Sequence, residues 1–285
     1  QELEARSLRM GRLLGTSAGA IMAVLVAAGY SAGELYAAVC EKVDGKSVFS
    51  TFLGVPAPFT RAEIQASATR AFLRDVDSPL IPNQVEEKLD DALASALLRF
   101  PVHRNLLAFV ERGGWYAADR FVGWLAERLN SGHYRGEPRR FGEMTLAQFY
   151  HATHVDVSVV AADTTSGRLR VLNHRTAPLC PLVWAVRMSM NLPLLWQDVL
   201  WQEEWGPYMG TSLSGHTLVD GGILSSFPME LLISGEPYVQ ELMGPKSSDR
   251  VLGLLLAVRP PVSVGPVGSP TPVGGVSLAN LRTVQ

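Results

Sequence analysis

The chain has 285 residues, 47% of them hydrophobic and 18% charged, with a formal net charge of −2 at pH 7. That length and apolar content suffice for one large domain with a sizeable core, while the near-neutral charge excludes nucleic acid as an expected partner and supplies no polybasic attraction to anionic lipid. Two cysteines, Cys40 and Cys180, are too few for a disulfide framework and are read as reduced, buried thiols.

Gln1 to Ser7 is charged and lacks the apolar stretch of a signal peptide; it reads as the end of a helix. Leu13 and Leu14 mark a short strand. Ala20 to Ala28 follows as an apolar helix with Gly29 as its C-cap. The apolar run from Ala18 to Ala28 falls well short of the ~20 residues a membrane span needs. Ser31 with Glu34 and Thr60 with Glu63 have capping-box spacing, and predict helices to about Val39 and about Phe72. Val85, Leu89, Leu93, Ala96 and Leu97 predict an amphipathic helix over 84–98. Asn105 to Val110 and Asp119 to Leu129 also read helical, so 45–150 is mostly α. Val155 to Ala161 is a valine-rich strand, with Arg168 to Leu172 as its hairpin partner across the Ser166-Gly167 turn. Pro181 suits the first turn of a helix ending near Met188. Val251 to Val258 is a continuous apolar run, as in a strand buried on both faces. Arg259 to Gly275 is dense in Pro and Gly, which marks a loop, linker or domain exit. Strands separated by helices imply an α/β fold with a largely parallel sheet.

Gly15-Thr16-Ser17-Ala18-Gly19 is a G-x-S-x-G pentapeptide between the first strand and the first helix. In a nucleophile elbow the serine occupies such a sharp strand-to-helix turn. Gly15 and Gly19 carry no Cβ to obstruct the flanking backbones. The turn also sets Ser17 at a helix N-terminus, where N–H groups and the helix dipole favour developing negative charge. Far downstream, Leu218-Val219 runs into Asp220-Gly221-Gly222. Alone, Asp-Gly is a turn.

The serine pentapeptide and the distant Asp-Gly-Gly together resemble the patatin-like phospholipases, which use a Ser-Asp dyad without histidine. Ala161 to Gly167 is similar to the family's strand ending in an acid and a glycine turn. Ala185 to Pro193 is similar to its helix ending in a serine and a proline, and Pro228 and Val251 to Val258 fall where the family has them. The resemblance spans about residues 11 to 258. It implies a three-layer α/β fold with a mostly parallel central sheet, helices on both faces and a helical insertion. It implies a catalytic domain over 1–258 followed by a Pro/Gly-rich exit segment over 259–285. The family's first strand and glycine-rich oxyanion loop should precede the serine by roughly 20 to 30 residues, and no such stretch precedes Gly11. Residues carrying that loop are expected to exist upstream of Gln1, and a mobile loop would make this a resting form awaiting an activator that orders it.

By the resemblance, Ser17 attacks an acyl ester and Asp220 takes its proton, with no cofactor and no metal. A carboxylate of ordinary pKa, about 4, is a weak base unless burial raises it. Gly15, Ala18, Gly19, Gly221 and Gly222 are the backbone positions around the reacting oxygen, the Ala18 N–H being the expected oxyanion donor. Pro193 and Trp196 are candidate substrate contacts. They open the tryptophan-rich segment Leu192 to Trp205, which reads either as core beside an acyl pocket or as an interfacial patch. The implied partner is a phospholipid or other acyl lipid, met in the cytoplasm at a peripheral membrane contact. A histidine triad is the rival mechanism. Of His103, His133, His151, His154, His174 and His216, none follows Asp220, where an ordinary α/β-hydrolase would carry one. His151 and His154 are spaced for a metal pair but lack accompanying ligands. The alternative outside enzymology is a catalytically silent module of the same fold that binds lipid or a partner.

Overall fold

The computed structural model describes residues 10–69, 101–246 and 250–255. In chain order these form β1 (Arg12–Thr16), α1 (Ala18–Ala27), α2 (Ala32–Val39), β2 (Lys42–Val43), β3 (Lys46–Ser47), α3 (Arg61–Ala66), α4 (Pro101–Glu111), β4 (Gly114–Tyr116) and α5 (Asp119–Asn130). There follow β5 (His133–Tyr134), β6 (Glu137–Pro138), α6 (Leu146–Thr153), β7 (Asp156–Asp163), β8 (Arg168–Leu172), α7 (Leu182–Ser189), β9 (Leu194–Trp196), β10 (Val199–Leu200), β11 (Thr217–Asp220), α8 (Glu230–Ile233) and α9 (Pro237–Met243). By internal contacts the chain divides into Gln1–Ser226 and Phe227–Gln285.

In the first unit the fold is α/β, with helices flanking a mixed central sheet. Every residue of β7 is buried, as expected of a valine-rich central strand. β1 runs parallel to it, from Arg12 opposite Asp156 to Thr16 opposite Val160. β8 returns antiparallel across the Ser166-Gly167 turn, where Gly167 adopts φ 66°. β11 also runs antiparallel to β7, with Leu218, Val219 and Asp220 opposite Asp163, Ala162 and Ala161. β1 and β11 therefore share one edge of β7, end to end, because β8 already occupies the other edge at residues 159–163. The hairpin and β11 make this sheet less parallel than the alternation of strands and helices suggests: among the described residues of this sheet, only β1 with β7 is a parallel pair.

α1 is apolar all round, and such a helix is stable only when covered. It packs on β1 and β7, with Ala20, Val24 and Leu25 fully buried. Its C-terminal carbonyls are met by the buried Arg139, which donates to Ala28 O and Gly29 O (both 2.9 Å) and pairs with Glu34 (2.9 Å). That contact, with the Ser31 bonds, holds the Glu34 carboxyl at about 2. Gly29 ends the helix at φ 77°. The capping boxes of Ser31 with Glu34 and Thr60 with Glu63 are both formed, and Thr145 with Gln148 adds a third at the start of α6. α2 ends at Val39 as expected, whereas α3 stops at Ala66 because Ser67 is extended. Helix α5 spans Asp119–Asn130 and buries Phe121, Trp124, Leu125 and Leu129. The helix expected over 84–98 lies outside the described residues.

Of the cysteines, Cys180 is buried, and burial pushes its thiol well up; Cys40 is exposed, so the expectation of two buried thiols fails at the C-cap of α2. In the second unit, the strand expected over 251–258 is not formed across 251–255, where the backbone is irregular and Leu252, Leu254 and Leu255 are exposed. A strand buried on both faces needs layers covering both, and among the described residues these five pair with no strand. Residues 256–285 lie outside the description.

Candidate active site

Thr16, the last residue of β1, lies opposite Val160, and Asp220, the last of β11, lies opposite Ala161. The two strands approach each other along one edge of β7, so their C-terminal ends converge. Ser17 is the next residue beyond β1. It adopts φ 54° and ψ −125°, a region an L-residue occupies only under constraint. That constraint is visible at Gly15. A Cβ there would overlap the Gly19 carbonyl and lie 2.6 Å from Ala20 Cα, both backbone atoms of the first helical turn. Only glycine lets α1 fold back so tightly on β1.

The half-buried Ser17 Oγ donates a hydrogen bond of 2.5 Å to Asp220 Oδ2. The other carboxylate oxygen, Oδ1, accepts from Gly222 N–H at 2.7 Å, within the 3₁₀ turn Gly221–Ile223. Asp220 is 2% exposed. Burial raises its pKa above the ordinary carboxylate value, against the opposing pull of the Ser17 and Gly222 hydrogen bonds. Gly221 sits against β7, where a Cβ would overlap the Val160 carbonyl. Gly19 faces open space, and Ala18 is exposed. As the first residue of α1, Ala18 has no intrahelical acceptor for its N–H.

A patatin-like phospholipase family model matches residues 2–233. The chain belongs to the patatin-like phospholipase family. It is 26% identical over 259 residues to the uncharacterized protein YqhO of Bacillus subtilis (strain 168), a match covering 87% of this chain and 66% of that protein, just under two thirds of its length. It also aligns with the crystal structure of VipD from Legionella pneumophila, at 19% identity and a TM-score of 0.39, over 78% of this chain and 42% of that one.

The C-terminal end of α7 meets this patatin-like site from below. Ser189 Oγ accepts the Ser17 N–H (3.1 Å) and donates to Val160 O (2.6 Å). Asn191 O accepts the Asp220 N–H (2.8 Å), and Asn191 Nδ2 donates to Leu218 O (3.2 Å). Arg187 Nη1 donates to Asn191 Oδ1 (2.7 Å). The part played by Arg187 and Asn191 escaped the sequence reading. Its one signal was an arginine in the otherwise apolar run of α7, a charge that buries only with partners.

Other candidates lie elsewhere. His216 turns Nδ1 to Asp163 Oδ2 at 3.0 Å rather than to Asp220. His174 stacks on Tyr150 at 3.7 Å, and burial, with Arg175 next, lowers its pKa. Asp163 is buried by Ser166, Arg170 and His216 at the β7–β8 turn. Pro193 is exposed just after Asn191. Trp196 is 8% exposed, with Nε1 donating to Phe52 O at 3.1 Å; Trp201 and Trp205 are buried too. Among the described residues, no cluster of three or more His, Cys, Asp or Glu could hold a metal, and no helix is long and apolar enough to cross a membrane.

Proposed function

We propose that the chain is a lipid acyl hydrolase cleaving phospholipid acyl esters, with Ser17 as nucleophile and Asp220 as general base. The observation that carries this reading is the 2.5 Å hydrogen bond from Ser17 Oγ to a buried carboxylate, made at a helix N-terminus on a constrained turn. A serine hydroxyl needs a base to become a nucleophile. Burial strengthens Asp220 in that role by raising its pKa toward the working pH. Membership of the patatin-like phospholipase family supports the hydrolase class and a lipid substrate.

As Ser17 Oγ attacks the acyl carbonyl carbon, its proton passes to Asp220 Oδ2. The carbonyl oxygen becomes an oxyanion, favoured by the Ala18 N–H and the N-terminal end of α1. The Ser17 N–H is already given to Ser189, which leaves the Ala18 N–H as the elbow's own donor. Collapse of the intermediate breaks the ester C–O bond. The departing lysolipid oxygen takes the proton from Asp220, and the acyl group stays on Ser17. Water then attacks the acyl carbon and gives a proton to Asp220; the Ser17 Oγ–C bond breaks, Asp220 returns the proton to Oγ, and the fatty acid leaves. Gly222 N–H, bound to Oδ1, keeps Oδ2 turned to Ser17 throughout. A phospholipid substrate makes the encounter a peripheral one, at a cytoplasmic membrane surface.

The test is reaction of the folded chain with a fluorophosphonate, with release of fatty acid from phosphatidylcholine vesicles as the second readout. Label on Ser17, lost in Ser17→Ala, together with fatty acid release is the expected result. A folded chain that takes no label and releases no fatty acid is the silent binding module instead.

A further inference from the structure

We propose that Asn191, held by Arg187, is a positioning residue that sets the Asp220 carboxylate against Ser17; this rests on the dyad reading above. Leu218 O and Asp220 N–H are two residues apart, so they point from the same edge of β11. A neighbouring strand ordinarily takes such a pair. β10 reaches only Thr217 and Leu218. Asp220 lies beyond that pairing, and Asn191 takes its N–H with the backbone carbonyl while donating its side-chain amide to the Leu218 carbonyl, the last one that β10 faces. Asn191 stands in for a strand residue at the point where β11 must end in a defined direction.

The side chain can do this in one orientation only. An amide turned over would put Oδ1 against the Leu218 carbonyl, acceptor against acceptor. Arg187 fixes the correct orientation by donating to Oδ1 at 2.7 Å, and it is itself anchored by a second bond, from Nη2 to Gln197 O at 2.9 Å. Both residues are essentially excluded from solvent, Asn191 at 0% and Arg187 at 3% exposure. The same end of α7 carries Ser189, the acceptor of the Ser17 N–H. One helix terminus thus indexes both strand ends, and the distance between Ser17 Oγ and Asp220 is set through it.

The experiment measures the rate of fluorophosphonate labelling of Ser17 in the full chain, for Asn191→Leu, Asp220→Asn and the double variant, with melting temperature alongside. Misplacing a reacting group by about 1 Å can cost about 100-fold. Asn191→Leu is expected to slow labelling by at least about 10-fold, while the double variant labels within about twofold of Asp220→Asn alone, because a positioned base that is absent cannot be mispositioned. If Asn191→Leu slows the Asp220→Asn background by the same factor as wild type, it acts on the scaffold and the proposal is wrong. If Asp220→Asn itself labels at the wild-type rate, the dyad reading fails rather than this one. Arg187→Lys keeps the charge and the stem but cannot span both acceptors in a fork. It covers the case in which Asn191→Leu does not fold: labelling about 3-fold or more slower at an unchanged melting temperature supports the proposal, and unchanged labelling overturns it.

Discussion

Ser17 and Asp220, 203 residues apart in sequence, meet because their strands end on adjacent residues of one strand edge, Val160 and Ala161. β1 arrives parallel to β7 and β11 antiparallel, so the two strands end at the same place. The 2.5 Å hydrogen bond between the two side chains is a consequence of that head-to-head arrangement.

The first prediction concerns Asp220→Asn. The amide can keep Gly222 N–H on its oxygen and donate to Ser17 Oγ, so it fits the site but cannot take a proton. Loss of a general base costs about 100- to 10,000-fold in rate, and ester turnover should fall accordingly. Stability should move the other way. A carboxyl with a raised folded pKa binds more protons folded than unfolded, so wild-type stability declines as pH rises through the window from the ordinary value of 3.8 to the raised one. Asp220→Asn should therefore melt higher than wild type at pH 7, with the difference shrinking toward pH 4. Wild-type turnover should fall as pH drops through the raised value. Thermal melts and rate profiles across pH 4–8 check both signs.

Much of this site was legible from local pattern. The strand, elbow and apolar helix at 12–27, the Ser31 and Thr60 capping boxes and the β7–β8 hairpin depend on neighbours close in sequence, and they form where spacing places them. The proximity of Asp220 came from resemblance to a family, since no local pattern fixes which edge of β7 receives β11 or in which direction. The work of Asn191 was illegible for a related reason: an asparagine standing in for a strand residue has no periodicity. Trp196 and Trp201 show the limit of composition, because a tryptophan-rich run reads alike whether it lines the core or a lipid-facing surface.

Gly15 and Gly19 flank Ser17 symmetrically in sequence but not in space. A methyl group at Gly15 collides with the backbone of Gly19 and Ala20, whereas one at Gly19 meets nothing within 4 Å. Gly15→Ala should destabilise by about 1–3 kcal/mol, as overpacking against rigid backbone does, and should abolish Ser17 labelling by opening the elbow. Gly19→Ala should stabilise by up to about 1 kcal/mol, as alanine replacing glycine in a helix does. Chemical denaturation of the two variants decides it; equal effects would refute the asymmetry.

Trp196 is 8% exposed and gives its indole N–H to Phe52 O. Trp196→Ala should cost about 3–5 kcal/mol as a core truncation. Turnover of phospholipid vesicles and of a short soluble ester should then fall together, measured below the variant's melting transition. A selective loss on vesicles at unchanged stability would make Trp196 a substrate or interface contact instead.

Asp163 is the buried aspartate at the other end of the pairing between β7 and β11, and it should behave oppositely to Asp220. Burial alone would raise its carboxyl. The bonds from Ser166, His216 and Arg170 outweigh burial and hold it at about 2. Those partners tie the β7–β8 turn to the residues that lead into β11: Ser166 Oγ at 2.6 Å, Arg170 Nη2 at 2.7 Å and His216 Nδ1 at 3.0 Å. A carboxyl with a depressed folded pKa contributes stability that is present above the ordinary value of 3.8 and lost as pH falls toward 2. Asp163→Asn leaves Arg170 without its acceptor charge. It should cost about 3 kcal/mol at pH 7, near the lower end for breaking a buried pair because Arg170 keeps some solvent contact. The deficit should narrow as pH falls from 4 toward 2, where wild type loses the same charge. At pH 7 the two aspartate-to-asparagine variants are thus expected to shift the melting temperature in opposite directions. An upward shift in both would mean that burial, and not the partners, governs Asp163.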